Sequence, residues 1–434
     1  MVVKGLSIGK LITIFIRIIF PNKVANAILN RIERTKRVMT STKEMRIFFK
    51  IIFLPVELVC SLFIALVKTI AIWILPTELY NNVKYLFNQF YNDINYKKLG
   101  IKLAWKRVQL CWELFTKGKE RKVSFGDKNP DKTFYIIRPY YFLERNALVS
   151  NVNNLLFHYY RNLEHLAWGV EHGWIPVIDW ENYGPFSHGE DYPINGTTNK
   201  WEYYWNQPSN YTLAEVYQSK NVILSVQNTR DNEYMPSAFF KTPLQKQAED
   251  YISRCPKYDQ LITLNKFTSD YITKKESELF PKGARILGVS IRGTSYGVES
   301  SHTETLGHPI QPSLVNLIKS IKVAVQEWEM DYIFMTCELD SVINCIKKEF
   351  GDKVLVLPRL RYTTSPKRGD VEKGLDPLYV PGQKYQTNLD YLAEMVLLSR
   401  CTSLLAAMSS GTRCALIWNN NQYENIKIFE NGLW

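Results

Sequence analysis

Residues 286–312 read ILGVSIRGTSYGVESSHTETLGHPIQP, which predicts a strand, a tight turn and a polar loop. The largely apolar run Ile286–Ile291 is typical of a strand that is buried on both faces. Gly293 permits a turn, so Arg292 leaves the carboxyl end of this strand. Ligands bind at that end in open α/β sheets, and a guanidinium suits phosphate oxygens. An ordinary surface ion pair is the alternative role for Arg292.

The segments around this stretch alternate between strand and helix patterns. Upstream, Thr133–Arg138 and Trp174–Trp180 are predicted strands on either side of a helix at Asn146–His172. Downstream, predicted helices and strands alternate in the order Ser313–Met330, Tyr332–Thr336, Ser341–Phe350, Val354–Leu357, Asn388–Ser399 and Ser403–Ala406. This alternation predicts an α/β fold with a doubly wound parallel sheet. A polar break at Val123–Lys132 predicts a domain boundary.

The amino-terminal part of the chain has a different composition. Ile51–Leu75 is apolar apart from Glu57 and Lys68, and basic residues flank it on both sides, including those of Arg31–Lys50. Apolar helices with basic flanks bind anionic lipid surfaces. We therefore expect a helical region on the cytoplasmic face of a membrane, either peripheral or anchored by a single segment. A buried helix in an all-helical extension is the alternative.

The overall charge narrows the class of partner. The formal net charge is +12, from 54 Lys and Arg against 42 Asp and Glu, which suits anionic lipids, phosphorylated substrates or nucleic acid. The sequence has no zinc-finger spacing and no RNP-like aromatic motif, so we do not expect nucleic acid as a partner. Seven scattered cysteines without a CxxC pair predict buried thiols in a reducing compartment.

A second candidate anion site follows the predicted strand Ser403–Ala406. Ser409, Ser410 and Gly411 open the last predicted helix, and helix N-termini attract anions. An ordinary serine N-cap has the same sequence pattern. Because Arg292 leaves the same edge of the predicted sheet, the two sites together suit a pyrophosphate. The chain contains no Asp-x-Asp sequence, so no metal site is expected.

Aromatic residues are concentrated in Glu181–Pro208. Aromatic rings stack on pyranoses while carboxylates and amides bind hydroxyl groups, so this composition is typical of a sugar-binding cleft. The residues expected to bind an acceptor sugar are Asp179, Trp180, Tyr192, Trp201 and Glu202. Packing in the core is the alternative for many of the aromatic residues.

Four motifs in order resemble the fucosyltransferases of the α1,6 and protein-O types: RGTSY (292–296), HPI (308–310), YIFMTCE (332–338) and LSRCTSLLAAMSS (398–410). The similarity is greatest to bacterial polysaccharide relatives of the nodulation-factor fucosyltransferase and covers about Thr133–Trp434. It implies a GT-B-like two-domain glycosyltransferase with a Rossmann-like carboxyl-terminal domain, a GDP-fucose donor and no metal. We accordingly expect a membrane-associated region at 1–125, an acceptor-side domain at 126–282 and a donor domain at 283–434.

The resemblance also implies roles for single residues. Arg292 matches the arginine that binds the donor diphosphate, Glu394 the acidic residue that reads guanine, and Glu304 the carboxylate at or near the position of the catalytic base. Glu299 is an alternative base. A carboxylate suits guanine because it accepts from both N1–H and N2–H. The expected catalytic residues are Glu304 and Arg292, and the expected donor-binding residues are Ser290, Arg292, Thr294, His308, Glu394, Ser409, Ser410 and Gly411.

Three positions depart from the family pattern. Ser290, Gly293 and Ser295 stand where some or many members have His, a second Arg and Asp. The reaction implied is a metal-independent, inverting transfer of fucose from GDP-fucose to a hydroxyl of a glycan or polysaccharide acceptor. Use of another nucleotide sugar, or a membrane-bound relative without catalysis, are the alternatives.

Overall fold

A computed structural model describes Leu79 and residues 120–138, 142–144, 147–149, 155–182, 190, 192–226, 259–293, 309–364, 378, 380, 382–420 and 422–432. The chain divides into two compact units, one of Lys119–Tyr141 with Ser150–Trp434 and one of Met1–Gly118 with Phe142–Val149. The apolar segment Ile51–Leu75 and the basic stretch Arg31–Lys50 lie outside the described residues. Where the structure does describe helices, none is both long enough and apolar enough to cross a bilayer.

The described elements include the strands and helices that the alternating pattern predicts, and further strands lie between them. The strands are β1 (Arg121–Val123), β2 (Lys128–Ile137), β3 (Phe142–Glu144), β4 (Ala147–Val149), β5 (Ile175–Ile178), β6 (Ser219–Leu224), β7 (Ile286–Ser290), β8 (Tyr332–Thr336), β9 (Val354–Leu355), β10 (Ser403–Ala406) and β11 (Ile426–Ile428). The helices are α1 (Leu155–Glu171), α2 (Leu213–Val216), α3 (Lys266–Leu279), α4 (Leu314–Glu327), α5 (Asp340–Phe350), α6 (Lys384–Ser399) and α7 (Ser410–Asn419).

The five-stranded sheet has the order β11-β10-β7-β8-β9, and every neighbouring pair is parallel. All residues of β7 and β10 are buried, as expected for strands covered by helices on both faces. After β7 the chain adds β8 and β9 on one side, and it then returns to place β10 and β11 on the other. The sheet is therefore doubly wound, as the sequence predicts, and its winding reverses between β7 and β10.

The four-stranded sheet has the order β1-β6-β2-β5. The central strand β2 is parallel to β5 and β6, and β1 is antiparallel to β6. The aromatic side chains of α1 pack into a hydrophobic cluster that also includes residues of α6 and α7. In this cluster Trp418 Nε1 donates to the Tyr159 hydroxyl at 2.9 Å. Both sheets belong to the larger compact unit.

Two sequence predictions differ from the observed elements. The helix predicted to start at Asn146 begins at Leu155, because β4 instead pairs with β3 as an antiparallel hairpin in the smaller unit. The polar break predicted at Val123–Lys132 contains the end of β1 and the start of β2, since the Lys128 N–H donates to the Gln218 carbonyl at 3.0 Å. Main-chain pairing of this kind does not depend on side-chain polarity, so the composition of the segment gave no sign of it.

Candidate functional site

Arg292 and Ser409 follow two neighbouring parallel strands and line the same cleft. Their strands, β7 and β10, are those between which the winding of the sheet reverses. A crevice opens at such a point because the two following loops diverge, and ligands of doubly wound sheets bind there. The structure thus places Arg292 and Ser409, which the sequence predicts to act together on a pyrophosphate, at one cleft.

The cleft is lined by residues at the carboxyl ends of strands and by residues of helix α6. The ends of β7 and β8 form part of it through Ser290 and Thr336, which lie opposite each other in the strand register. Helix α6 contributes Tyr391, Glu394 and Met395. The site is therefore built from ends of rigid elements, which position side chains more accurately than loops do.

Arg292 is held at its backbone and partly exposed at its side chain. Its N–H donates to the side-chain oxygen of buried Gln311 at 2.8 Å. Its Nη2 lies 3.6 Å from Oε1 of Glu338, and the two side chains are 27% and 24% exposed. An ion pair with this separation and exposure is weak. An anionic ligand can therefore compete with Glu338 for the guanidinium.

The side chains packed against residue 293 require a glycine at this position. A Cβ atom there would lie 2.7 Å from Cγ of Leu339 and 2.9 Å from Sγ of Cys337. Contacts this short are not tolerated in a packed interior. The departure from the family pattern at this residue thus has a structural reason, because no second arginine fits there.

Ser409 is the N-cap of α7. Its Oγ accepts a hydrogen bond from the Thr412 N–H at 3.1 Å, and the Thr412 hydroxyl donates to the Ala407 carbonyl at 2.8 Å. The serine motif is therefore a cap, and this cap lies at the cleft. A helix N-terminus carries about half a positive charge, which favours anions near its first turn.

Gly411 allows α7 to begin close to α6. A Cβ atom at this position would lie 2.6 Å from Sδ of Met395 and 2.9 Å from the Tyr391 hydroxyl, and both residues line the cleft. A side chain at residue 411 would therefore separate the two helices. The glycine fixes where the helix start lies relative to the α6 wall.

Glu394 is clamped between two arginines. Its Oε2 accepts from Arg359 Nε at 3.0 Å, and its Oε1 lies 2.6 Å from Arg361 Nη2. The side chains of both arginines are 4% exposed and that of Glu394 is 1% exposed. Arg359 also lines the cleft. Glu394 is therefore buried, although it lies on a helix, and its carboxylate already accepts at both oxygens.

Two ion pairs line the cleft. Arg292 pairs with Glu338 and Arg359 pairs with Glu394, so the charges of these four lining side chains balance. Arg361 also pairs with Glu394, but it is not among the residues that line the cleft. The N-terminus of α7, which carries a partial positive charge, is a further feature of the cleft that attracts an anion.

The cysteines of the described chain are thiols. Cys337, Cys401 and Cys414 are buried and Cys345 is exposed. Burial raises the pKa of Cys337, which lines the cleft, to about 12. Its thiol therefore stays neutral, while its carbonyl accepts from Arg361 Nε at 3.0 Å. Cys337 supports the arginines through its backbone.

The predicted acceptor residues lie in different surroundings. Trp180 and Trp201 are fully buried in the core, with ring centroids 5.3 Å apart, so neither presents a face to a sugar in this structure. Both oxygens of Asp179 accept hydrogen bonds, including one from the Tyr217 hydroxyl at 2.5 Å. Glu202 accepts from Gln207 Nε2 at 2.7 Å. Tyr192 is 51% exposed and is the member of this set with an accessible ring.

Tyr192 is connected to the cleft through α6. The Tyr203 hydroxyl donates to the Tyr192 carbonyl at 3.3 Å, and the Tyr203 ring packs edge-on against Tyr385 at 6.0 Å. Glu190 accepts from the Tyr385 N–H at 3.0 Å and so caps α6 from outside the helix. Glu394 lies nine positions after Tyr385 along α6, which corresponds to a rise of about 14 Å. These contacts link Tyr192 to α6, the helix that also lines the cleft.

Several predicted site residues cannot be placed. Glu304, its alternative Glu299, Thr294 and His308 lie outside the described residues. Within the part of the chain that the structure describes, no group of three or more His, Cys, Asp or Glu residues is arranged to hold a metal ion.

Sequence reasoning missed the arginines that hold Glu394. Arg359 and Arg361 follow β9 in the stretch VLVLPRLR, residues 354–361. The signal was present, because two arginines after a strand of a parallel sheet lie at its ligand-binding edge. In the sequence this stretch resembles an ordinary polar loop, because nothing near it shows that Glu394 of α6 binds the two arginines.

Comparisons with known proteins give structural likeness and no sequence match. No family model matches the chain, and no curated protein matches its sequence. A NodZ α1,6-fucosyltransferase structure soaked with GDP-fucose is 15% identical, covers 66% of this chain and 93% of its own, and has a TM-score of 0.35. A selenomethionine NodZ structure from Bradyrhizobium is 15% identical with coverages of 65% and 91% and a TM-score of 0.34. POFUT1 in complex with GDP is 11% identical with coverages of 70% and 75% and a TM-score of 0.30. The function proposed below therefore rests on the cleft and the sequence motifs.

Proposed function

We propose that this protein is a glycosyltransferase that uses a nucleotide-diphosphate sugar. The observation that carries the proposal is the convergence of Arg292 and Ser409 on one cleft at the reversal of the sheet. A guanidinium and a helix N-terminus both stabilise a doubly negative diphosphate.

The favoured donor is GDP-fucose, and the four-motif resemblance supports it. The resemblance implies a second arginine at position 293, where the packing of Leu339 permits only glycine. Arg359 reaches the same cleft from a different loop and places a second positive charge there, which is paired with Glu394. Loss of an arginine from one position can thus be offset from another. A GT-B-like arrangement of the two sheets is part of this proposal.

The proposed reaction is an inverting substitution at the anomeric carbon of the donor sugar. An acceptor hydroxyl oxygen bonds to the anomeric carbon from the face opposite the diphosphate, and the bond from that carbon to the diphosphate oxygen breaks. The hydroxyl proton passes to Glu304, or to Glu299 as the alternative base. Arg292, Arg359 and the start of α7 stabilise the charge that develops on the leaving diphosphate. Inversion at the anomeric carbon results, without a requirement for metal.

Glu394 has two possible roles at this site. The resemblance implies that it reads guanine, and it lines the cleft as this role requires. Its ion pairs with Arg359 and Arg361 favour a second role, in which it orients the arginines. In the first role Glu394 makes the affinity for a nucleotide depend on its nucleobase. In the second role it makes the affinity depend on the diphosphate, whatever the nucleobase.

We also propose that a glycan or polysaccharide acceptor binds beside Tyr192, and that the basic and apolar amino-terminal region associates with the cytoplasmic face of a membrane. An exposed ring suits stacking on a sugar. A membrane-associated enzyme meets acceptors that are themselves bound to the membrane.

The proposal is tested by ligand binding and turnover of the full-length protein. Thermal unfolding is followed with GDP, UDP and ADP, because a ligand that binds only the folded state raises the midpoint. We expect GDP to give the largest shift, and GDP-fucose to be hydrolysed or transferred equally with and without EDTA. A larger shift with UDP would support another nucleotide sugar. GDP binding without any turnover would support the inactive relative, and no shift with any nucleotide would overturn the proposal.

A further inference from the structure

The last residue of β8, Thr336, is buried at the cleft with an unsatisfied hydroxyl. It is 2% exposed, lines the cleft, and lies opposite Ser290 in the strand register. Its Oγ1 has no hydrogen-bond partner within the described part of the protein. Most buried hydroxyl groups in native proteins are hydrogen-bonded, since burial without a partner loses the bonds to water. The unsatisfied hydroxyl of Thr336 lies at the cleft, where a bound ligand could form the missing hydrogen bond.

The charge of the cleft indicates what kind of partner that is. A hydroxyl donates as well as accepts, and the weakly paired Arg292 and the N-cap of α7, Ser409, line the same cleft. An anionic oxygen is therefore the group that this environment attracts. We infer that the Thr336 hydroxyl donates a hydrogen bond to a phosphate oxygen of a nucleoside diphosphate in the cleft. This inference rests on the proposed function and adds a ligand-contacting residue to it.

A second threonine provides a matched control. Thr268 in α3 is also fully buried, and its Oγ1 likewise has no hydrogen-bond partner in the described chain. It does not belong to the residues that line the cleft. Valine has nearly the shape of threonine and lacks the hydroxyl, so it removes the unsatisfied group at either position without leaving a cavity.

The experiment compares Thr336→Val, Thr336→Ser and Thr268→Val in the full-length protein. Unfolding midpoints are measured without ligand, and affinities are measured for GDP and for inorganic pyrophosphate. We expect both valine variants to unfold at or above the wild-type midpoint. Thr336→Val should bind GDP and pyrophosphate roughly tenfold more weakly, because a hydrogen bond to a charged group is lost. Thr336→Ser and Thr268→Val should bind them as the wild type does.

Other outcomes separate this inference from the function on which it rests. Wild-type affinity of Thr336→Val for GDP would overturn the inference and leave the proposed function standing. Weaker binding of GDP with unchanged binding of pyrophosphate would overturn the assignment to a phosphate oxygen. A lower midpoint of Thr336→Val without ligand would show that the hydroxyl supports the fold instead. If the wild-type protein binds neither GDP nor pyrophosphate, both the inference about Thr336 and the proposed function are overturned.

Discussion

Oε1 of Glu394, which lines the cleft, lies 2.6 Å from Nη2 of Arg361, and both side chains are almost completely buried. The residues are 33 positions apart in the sequence, and Arg359 is attached to the other oxygen of the same carboxylate. Removing one member of a buried ion pair leaves a desolvated charge without compensation. We therefore expect the group of Glu394, Arg359 and Arg361 to affect the stability of the fold as well as the affinity for a nucleotide.

Glu394→Gln should lower the free energy of unfolding by about 3–5 kcal/mol, because two buried arginines then lack a counter-charge. Chemical denaturation measures this change. If Glu394 orients the arginines, the variant should also lose affinity for GDP and UDP to the same extent.

The control for Glu394 is the exposed pair of Arg285 and Glu424, whose side chains are 40% and 52% exposed. Glu424→Gln should cost less than about 1 kcal/mol. Unchanged stability of Glu394→Gln together with a loss of preference for guanine would instead identify the carboxylate as the base-reading group.

Arg292→Ala should lower sugar transfer by about 100-fold or more, since it removes a donor aimed at charge that develops in the transition state. Initial rates with a nucleotide sugar measure this loss. Arg285 is the matched control, because it precedes β7 at the opposite end of the strand. Arg285→Ala should retain its transfer rate, and near wild-type transfer by Arg292→Ala would refute the assigned role.

Asp259 should make stability depend on pH. Burial raises its pKa to about 7, although the hydrogen bond from Trp418 opposes the shift. The folded protein then keeps a proton that the unfolded chain releases between about pH 4 and pH 7. The contribution of this group to stability is therefore fully present below pH 4 and is lost as the pH rises through 7.

Asp259→Asn removes this titration and keeps a side-chain oxygen that accepts from Trp418 Nε1. The midpoint of the variant relative to wild type should increase between pH 5 and pH 8. Thermal unfolding at several pH values tests this expectation. The exposed Asp270, changed to Asn, serves as a control in which no such trend is expected. A constant difference between Asp259→Asn and wild type would contradict the prediction.

Gly411→Ala should destabilise the protein by roughly 1–3 kcal/mol, because its Cβ would overlap Met395 and Tyr391. Donor binding should weaken with it, since the start of α7 must move away from α6. Helix propensity alone predicts the opposite sign, a gain of up to about 1 kcal/mol. The sign of the change in denaturant unfolding therefore decides between close packing and propensity.

The central strands could be predicted from the sequence because a short run of apolar residues is enough to indicate a buried strand. The predicted strands Tyr332–Thr336 and Ser403–Ala406 coincide with β8 and β10, and a parallel strand covered on both faces is apolar throughout. The strands β6 and β11 were not predicted. The sequence predicts a helix from Asn146 onward, a range that includes β4, because a strand of three residues is too short to show a clear alternation of apolar and polar side chains.

By itself the sequence determined the alternation of strands and helices, the placement of Arg292 after a buried strand and the N-cap at Ser409. Each of these depends on residues within a few positions of one another. Only the tertiary structure decided that Trp180 and Trp201 fill the core and that Glu394 binds two arginines. Those outcomes depend on which elements pack together, and ion pairs between residues 33 and 35 positions apart leave no periodic trace in the chain.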